Sequence, residues 1–142
     1  MELIDKVRKT WGAETALEIS FCSKPEYITY LPDGSEMFGI AGSMAFFFAV
    51  GYQETVFVLD TRTNVIKPLA YDFSEFIRLI LACGCAEHTA DIAFGAPFDP
   101  DVHKSAHQAG LKKIQHMLDL TPIPDPEIYI KTVGQVIDCS RL

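Results

Sequence analysis

The spacing of apolar residues changes along the chain, from helical near the start to strand-like in the middle. Glu2–Trp11 carries apolar residues at helical spacing and precedes Gly12, which predicts a short amphipathic helix with Trp11 packed on its apolar face. Ala16–Cys22 alternates apolar and polar residues, which predicts a half-buried strand. Tyr27–Leu31 is expected to extend this strand or to form a second one.

The middle of the chain predicts an antiparallel meander. Pro32-Asp33-Gly34 fits a tight turn, because proline presets φ and glycine accepts a positive φ. Four short apolar segments follow, bounded by Gly, Asp or Asn: Met37–Ile40, Met44–Val50, Thr55–Leu59 and Val65–Ala70. Because short reversals join antiparallel neighbours, these strands are expected to pair in sequence order.

A helix with local start and stop signals follows the last strand. Asp72 can cap it, Glu75 stands in the capping-box position and Gly84 can end it. Its apolar stripe is expected to cover the sheet, and consists of Phe73, Phe76, Ile77, Ile80 and Leu81.

Further helices are predicted downstream. Glu87–Phe94 reads as a short helix, and Asp99-Pro100 and Asp125-Pro126 each combine an N-cap residue with proline at the first helical position. Glu127–Ile137 also fits an alternating strand, and helix is the favoured interpretation.

Strands followed by helices predict an α+β fold. We expect a central antiparallel sheet of about 4–6 strands, with helices packed on one side and a helical C-terminal region. A chain of 142 residues suits a single domain over residues 1–142, in which 96–142 forms a helical extension.

Composition and the lengths of the apolar runs indicate a folded protein and the compartment in which it is expected. A hydrophobic fraction of 49% excludes intrinsic disorder. The longest apolar run, Met44–Val50, is too short to cross a bilayer, and the N-terminus lacks the pattern of a secretion signal. Four cysteines are few for a disulfide framework, so a cytoplasmic protein with free thiols is expected.

The charge of the chain disfavours nucleic acid and favours a basic partner. A net charge of −7 opposes binding to phosphates, which requires clustered Lys and Arg. Between Pro25 and Thr61 the chain has five acids and no Lys or Arg. An ordinary solvated face is the favoured interpretation of this stretch, and if it does contact a partner, the candidate residues are Asp33, Glu36 and Glu54.

Two groups of residues could suggest a metal site. Cys83 and Cys85 with His88 lack the usual spacing of paired thiolates, and packing at a helix end is the favoured interpretation. His103 and His107 share a helix face but lack the glutamate of the helical metalloprotease motif. No nucleophile elbow or phosphate loop is present, so we expect no enzyme activity, no cofactor and no metal.

Phe38–Gly84 resembles the core of the SUKH superfamily. The residues that carry the resemblance are the strands around Phe46-Phe47-Phe48, Val56–Asp60 and Pro68-Leu69-Ala70, and the helix opener Asp72–Phe76. This family includes fungal regulators of cell-wall synthesis and bacterial immunity proteins that neutralise toxins, often nucleases.

The resemblance and the acidic charge together predict an intracellular protein-binding domain. The leading hypothesis is an immunity protein that binds and neutralises a basic toxin domain, such as a nuclease. The first alternative is a small-molecule-binding or regulatory module with a pocket between the sheet and the C-terminal helices. The second is a metal-dependent enzyme built on Cys83, Cys85, His88, His103 and His107.

Overall fold

The computed structural model describes residues 2–101, 105–140 and 142 of the chain. Its helices are α1 (Glu2–Lys9), α2 (Ala13–Leu17), α3 (Phe73–Cys83), α4 (Ala86–Ala93), α5 (Ser105–Leu118) and α6 (Pro126–Val136). Its strands are β1 (Ser20–Phe21), β2 (Glu36–Ala41), β3 (Met44–Phe48), β4 (Val56–Asp60) and β5 (Val65–Ala70).

The five strands form one antiparallel sheet in the order β1-β2-β3-β4-β5. The predicted α+β fold with a central antiparallel sheet is therefore confirmed, and each of the four predicted meander strands is present within a residue or two of its expected bounds. Proline lacks an amide hydrogen for a sheet ladder, and Pro68 accordingly lies on β5, an edge strand.

The helices pack on one face of the sheet. Asp72 caps α3 by accepting a hydrogen bond from the Glu75 amide at 2.8 Å, and Gly84 ends the helix with a φ of 97°. The predicted apolar stripe of α3 is buried. The rings of Phe38 and Phe46 on the sheet meet the ring of Phe76, with centroids 5.6 and 5.0 Å away.

The opposite face of the sheet is also buried, although no helix of the described chain covers it. Its apolar side chains are Met37, Ala45, Phe47, Phe57 and Leu59. They are closed off by the loop between β1 and β2, through Ile28 and Leu31, and by Ile137, Cys139 and Leu142 after α6. Tyr52 fixes this C-terminal segment by donating a hydrogen bond to the Asp138 carbonyl at 2.8 Å.

The N-terminal predictions were partly wrong. The first helix ends at Lys9 in a tighter turn, in which the Thr10 amide donates a hydrogen bond to the Val7 carbonyl, three residues back. The Thr10 hydroxyl donates a second hydrogen bond to the Lys6 carbonyl. Trp11 consequently lies in the turn before α2 and is 84% exposed, so the expected burial of this residue is wrong.

The segment from 16 to 31 also departs from the predicted strands. Within Ala16–Cys22, only Ala16 and Leu17 belong to α2, and only Ser20–Phe21 pairs with β2. Glu18 has a φ of 54°, and this left-handed residue separates the helix from the strand. Tyr27–Leu31 forms no strand and instead supplies the buried Ile28 to the second face of the sheet.

The C-terminal region is helical, as predicted. Glu127–Ile137 falls almost entirely within α6, so helix was the correct choice for this segment. The start expected for α5 at Asp99-Pro100 runs into residues 102–104, which lie outside the described residues. Among the described helices, none is both long and apolar enough to cross a bilayer.

Candidate partner-binding surface

The predicted contact residues Asp33 and Glu36 lie at one end of the sheet. The turn before β2 is closed by a 3.0 Å hydrogen bond from the Ser35 amide to the Pro32 carbonyl. Gly34 has a φ of +79°, and a side chain there would place its Cβ 2.6 Å from Val50 Cγ2. Glycine is therefore needed both for the turn and for its close approach to the β3–β4 loop.

The third predicted residue, Glu54, lies in that same loop. The geometry of this loop depends on left-handed backbone conformations at Gly51 and Gln53, which have φ of 88° and 54°. The Tyr52 amide donates to the Ala49 carbonyl and the Thr55 amide to the Tyr52 carbonyl. Since β2 begins where β3 ends, with Glu36 opposite Phe48, the topology brings the three predicted acids to one end of the sheet.

Exposed apolar side chains accompany these acids. Val50 is 69% exposed, although it directly follows the buried Ala49. Tyr71 follows the end of β5 and is also exposed, and its carbonyl accepts a 3.5 Å hydrogen bond from the Thr55 hydroxyl. We call the set Asp33, Glu36, Val50, Glu54 and Tyr71 the acidic sheet end.

The carboxylates of the acidic sheet end are available to a partner. Asp33, Glu36 and Glu54 are all exposed, and within the described ranges none of their carboxylates makes a hydrogen bond or ion pair. Exposed apolar side chains beside unpaired carboxylates can supply both contact area and electrostatic selectivity in a protein interface. Sequence reasoning missed Val50 and Tyr71, because both adjoin apolar segments that read as core.

Another acid of the segment between Pro25 and Thr61, which has no Lys or Arg, has a structural role. Asp60 ends β4 and is buried, and its carboxylate accepts hydrogen bonds from Arg62 at 2.9 Å from the amide, 3.1 Å from Nε and 3.1 Å from Nη2. These hydrogen bonds lower the pKa of Asp60 below its ordinary value. The Asp60 carboxylate therefore pairs with Arg62 within the fold.

The two cysteines near the end of α3, Cys83 and Cys85, are buried free thiols. Burial raises the pKa of Cys83 to about 12. Cys85 caps α4, with its Sγ accepting from the His88 amide at 3.4 Å. The His88 Nε2 in turn accepts from the Asp99 amide at 3.1 Å. These contacts match the packing role favoured for Cys83 and Cys85.

No cluster of three metal-ligating side chains occurs among the described residues. His103 lies outside them, as does the side chain of His107, so the predicted histidine pair has no structural description. One ring nitrogen of His88 has a hydrogen-bond partner within the fold, because Nε2 accepts from the Asp99 amide.

A groove of about 460 Å³ lies between α1 and the start of β2. Its walls combine apolar and charged residues: Ile4, Asp5, Arg8, Cys22, Ser23, Lys24, Ser35, Glu36, Met37, Phe38 and Phe48. The Ser35 hydroxyl is buried and has no hydrogen-bond partner among the described residues. This groove adjoins the N-terminal helix, whereas the alternative hypothesis expected a pocket beside the C-terminal helices.

Comparison with protein-family models, with curated protein sequences and with solved structures gives no significant match to this chain.

Proposed function

We propose that this chain is an intracellular binding protein that neutralises a basic protein partner, such as a toxin domain, through its acidic sheet end. The observation that carries the proposal is the position of Asp33, Glu36 and Glu54 at the same end of the sheet as the exposed Val50. The resemblance of Phe38–Gly84 to the SUKH superfamily supports the same class of function.

Electrostatics explains why such a surface suits this task. An inhibitor of a toxin benefits from fast association, and charge complementarity raises association rates at low salt. The exposed apolar side chains would then make the desolvated contacts that slow dissociation. The overall charge of −7 adds to the attraction for a cationic partner.

Neutralising the three carboxylates tests this proposal. The variant Asp33→Asn/Glu36→Gln/Glu54→Gln removes three negative charges from the acidic sheet end. A matched control, Asp101→Asn/Asp119→Asn/Asp125→Asn, removes three charges from exposed acids elsewhere. Both are assayed for binding to, and protection of cells against, a toxin domain encoded beside this chain.

The two variants should behave differently. Each rim carboxylate is worth up to about 1 kcal/mol, so the first variant should bind roughly tenfold to a hundredfold more weakly. The control should retain near-wild-type affinity. Equal losses in both variants, or unchanged toxin activity in the presence of saturating wild-type protein, would contradict the proposal.

The groove between α1 and β2 favours a second candidate function, small-molecule binding. Its volume falls in the range of ligand sites, and the buried Ser35 hydroxyl offers an unused hydrogen-bonding group. Screening a compound library by thermal shift, with Ser35→Ala as comparison, tests this function. A ligand whose stabilisation disappears in the variant would favour it over protein binding.

A further inference from the structure

The single tryptophan of the chain is exposed on a helical surface. Trp11 lies 84% exposed between α1 and α2, and the Lys113 ammonium stands 5.7 Å from its ring centroid. Tryptophan is costly to leave in water and is enriched at the centres of protein interfaces. Trp11 does not belong to the acidic sheet end, so its exposure is a separate feature of the surface.

A groove of about 440 Å³ opens beside Trp11, between α2 and α5. Its lining is Trp11, Gly12, Thr15, Ala16, Gly110, Lys113 and Ile114. Small residues keep it concave, because Gly110 faces Ala16 with no side chain of its own. Met117 lies one turn beyond Lys113 on α5 and is 44% exposed, which extends the apolar surface with a flexible side chain.

Three lysines lie in the groove lining or just beyond it. Lys113 lines it, and Lys6 and Lys9 are exposed in the last turn of α1, just before Trp11. None of these three makes an ion pair within the part of the chain that the structure describes. The carboxylate of the nearby Glu14 is occupied, since it accepts the Phe21 amide at 3.0 Å.

We propose that the Trp11 groove is a second docking site, which binds an acidic amphipathic segment of another protein. An apolar anchor of that segment would fill the groove between α2 and α5, and its flanking carboxylates would meet Lys113 and Lys9. A concave floor suits an inserted side chain or helix face better than a flat lipid surface. The chain would then contact two partners of opposite charge through separate surfaces.

Trp11 fluorescence reports on this site alone, because the chain has one tryptophan. The probes are three 15-residue peptides with leucine, phenylalanine or methionine at helical spacing and glutamate elsewhere. Their counterparts carry lysine in place of glutamate, and anionic vesicles serve as a membrane probe. We expect at least one glutamate peptide to shift the emission to the blue saturably, and the lysine peptides to have no such effect.

Matched variants locate the interaction. Gly110→Leu should fill the groove and weaken peptide binding at least tenfold, while Gly134→Leu places the same change on α6, where nothing lies within 4 Å of the new Cβ. Lys113→Glu should weaken binding about tenfold, whereas Lys112→Glu, on the flank of α5 that lines a different cavity, should have little effect.

Several results would overturn the inference. These are the absence of a saturable shift with every glutamate peptide, an equal response to the lysine peptides, a response to anionic vesicles only, or unaltered binding in Gly110→Leu. Far-UV circular dichroism checks that each variant is folded, and any variant that is not is replaced by Gly110→Ala or Lys113→Gln, with the same direction expected.

Discussion

Replacing Phe57 with alanine tests whether the second face of the sheet is a true core. Phe57 is 0% exposed, and its ring contacts Phe47 and Tyr52 at centroid distances of 5.7 and 5.0 Å. Phe46 is its counterpart on the helix face, also 0% exposed and with two aromatic neighbours. Truncating a buried phenylalanine costs about 3–5 kcal/mol, and we expect this loss in both Phe57→Ala and Phe46→Ala.

The assay is urea unfolding followed by far-UV circular dichroism, since the exposed Trp11 reports poorly on global unfolding. With a slope of about 2 kcal/mol per molar urea, the midpoint should fall by roughly 1.5–2.5 M in each variant. If a variant does not fold, the Phe57→Leu and Phe46→Leu pair provides a milder version, at about 1 kcal/mol each. A loss below about 1 kcal/mol for Phe57→Ala beside a full loss for Phe46→Ala would refute the two-faced core.

Three further predictions concern a buried carboxylate, two buried thiols and a tyrosine hydroxyl. Because Arg62 lowers the pKa of Asp60, this carboxylate stabilises the fold above its ordinary pKa of 3.8 and loses that effect as pH falls through the lowered value. The stability difference between wild type and Asp60→Asn, measured by urea unfolding, should therefore shrink from about pH 6 to about pH 3; a constant difference would contradict this. Cys83 and Cys85 have raised pKa values through burial, so mass spectrometry should detect their alkylation at pH 8 only after unfolding, and rapid labelling of the native protein would argue against it. The half-buried Tyr129 accepts a hydrogen bond from the Tyr71 amide at 3.0 Å through its hydroxyl, so Tyr129→Phe should lose about 1 kcal/mol in thermal unfolding, while an unchanged melting temperature would show that this contact adds nothing.

Local signals in the sequence predicted the regular elements well. Asp72 and Gly84 marked the ends of α3 because a cap and a left-handed terminator act within a few residues of the chain. The strands from β2 to β5 were predictable because short apolar segments alternated with turn residues. The Glu127–Ile137 helix was ambiguous, and the start signal at Asp125-Pro126 correctly favoured helix.

The end of α1 and the cover over the second face of the sheet were not predicted. The helical spacing that includes Trp11 gave no sign that α1 ends two residues earlier. The cover over the second sheet face comes from irregular segments around Ile28 and Cys139, which have no periodicity to detect. The unbroken apolar runs in β3 and β4 were a usable signal, since strands buried on both faces lack alternation.

The candidate surface was predicted in part. Charge distribution identified a basic-free stretch, and the meander places Asp33, Glu36 and Glu54 at one end of the sheet. Sequence alone could not separate these acids from Asp60, whose carboxylate is bound by Arg62. Nor could it identify the exposure of Val50, which depends on the left-handed turn that follows at Gly51.

Hydrogen–deuterium exchange on the complex with a toxin domain encoded beside this chain tests the central claim most directly. Binding through the acidic sheet end predicts protection of amides in 33–36 and 50–55, with exchange in α5 unchanged. Protection confined to other segments, with these two loops exchanging as in the free protein, would contradict the account.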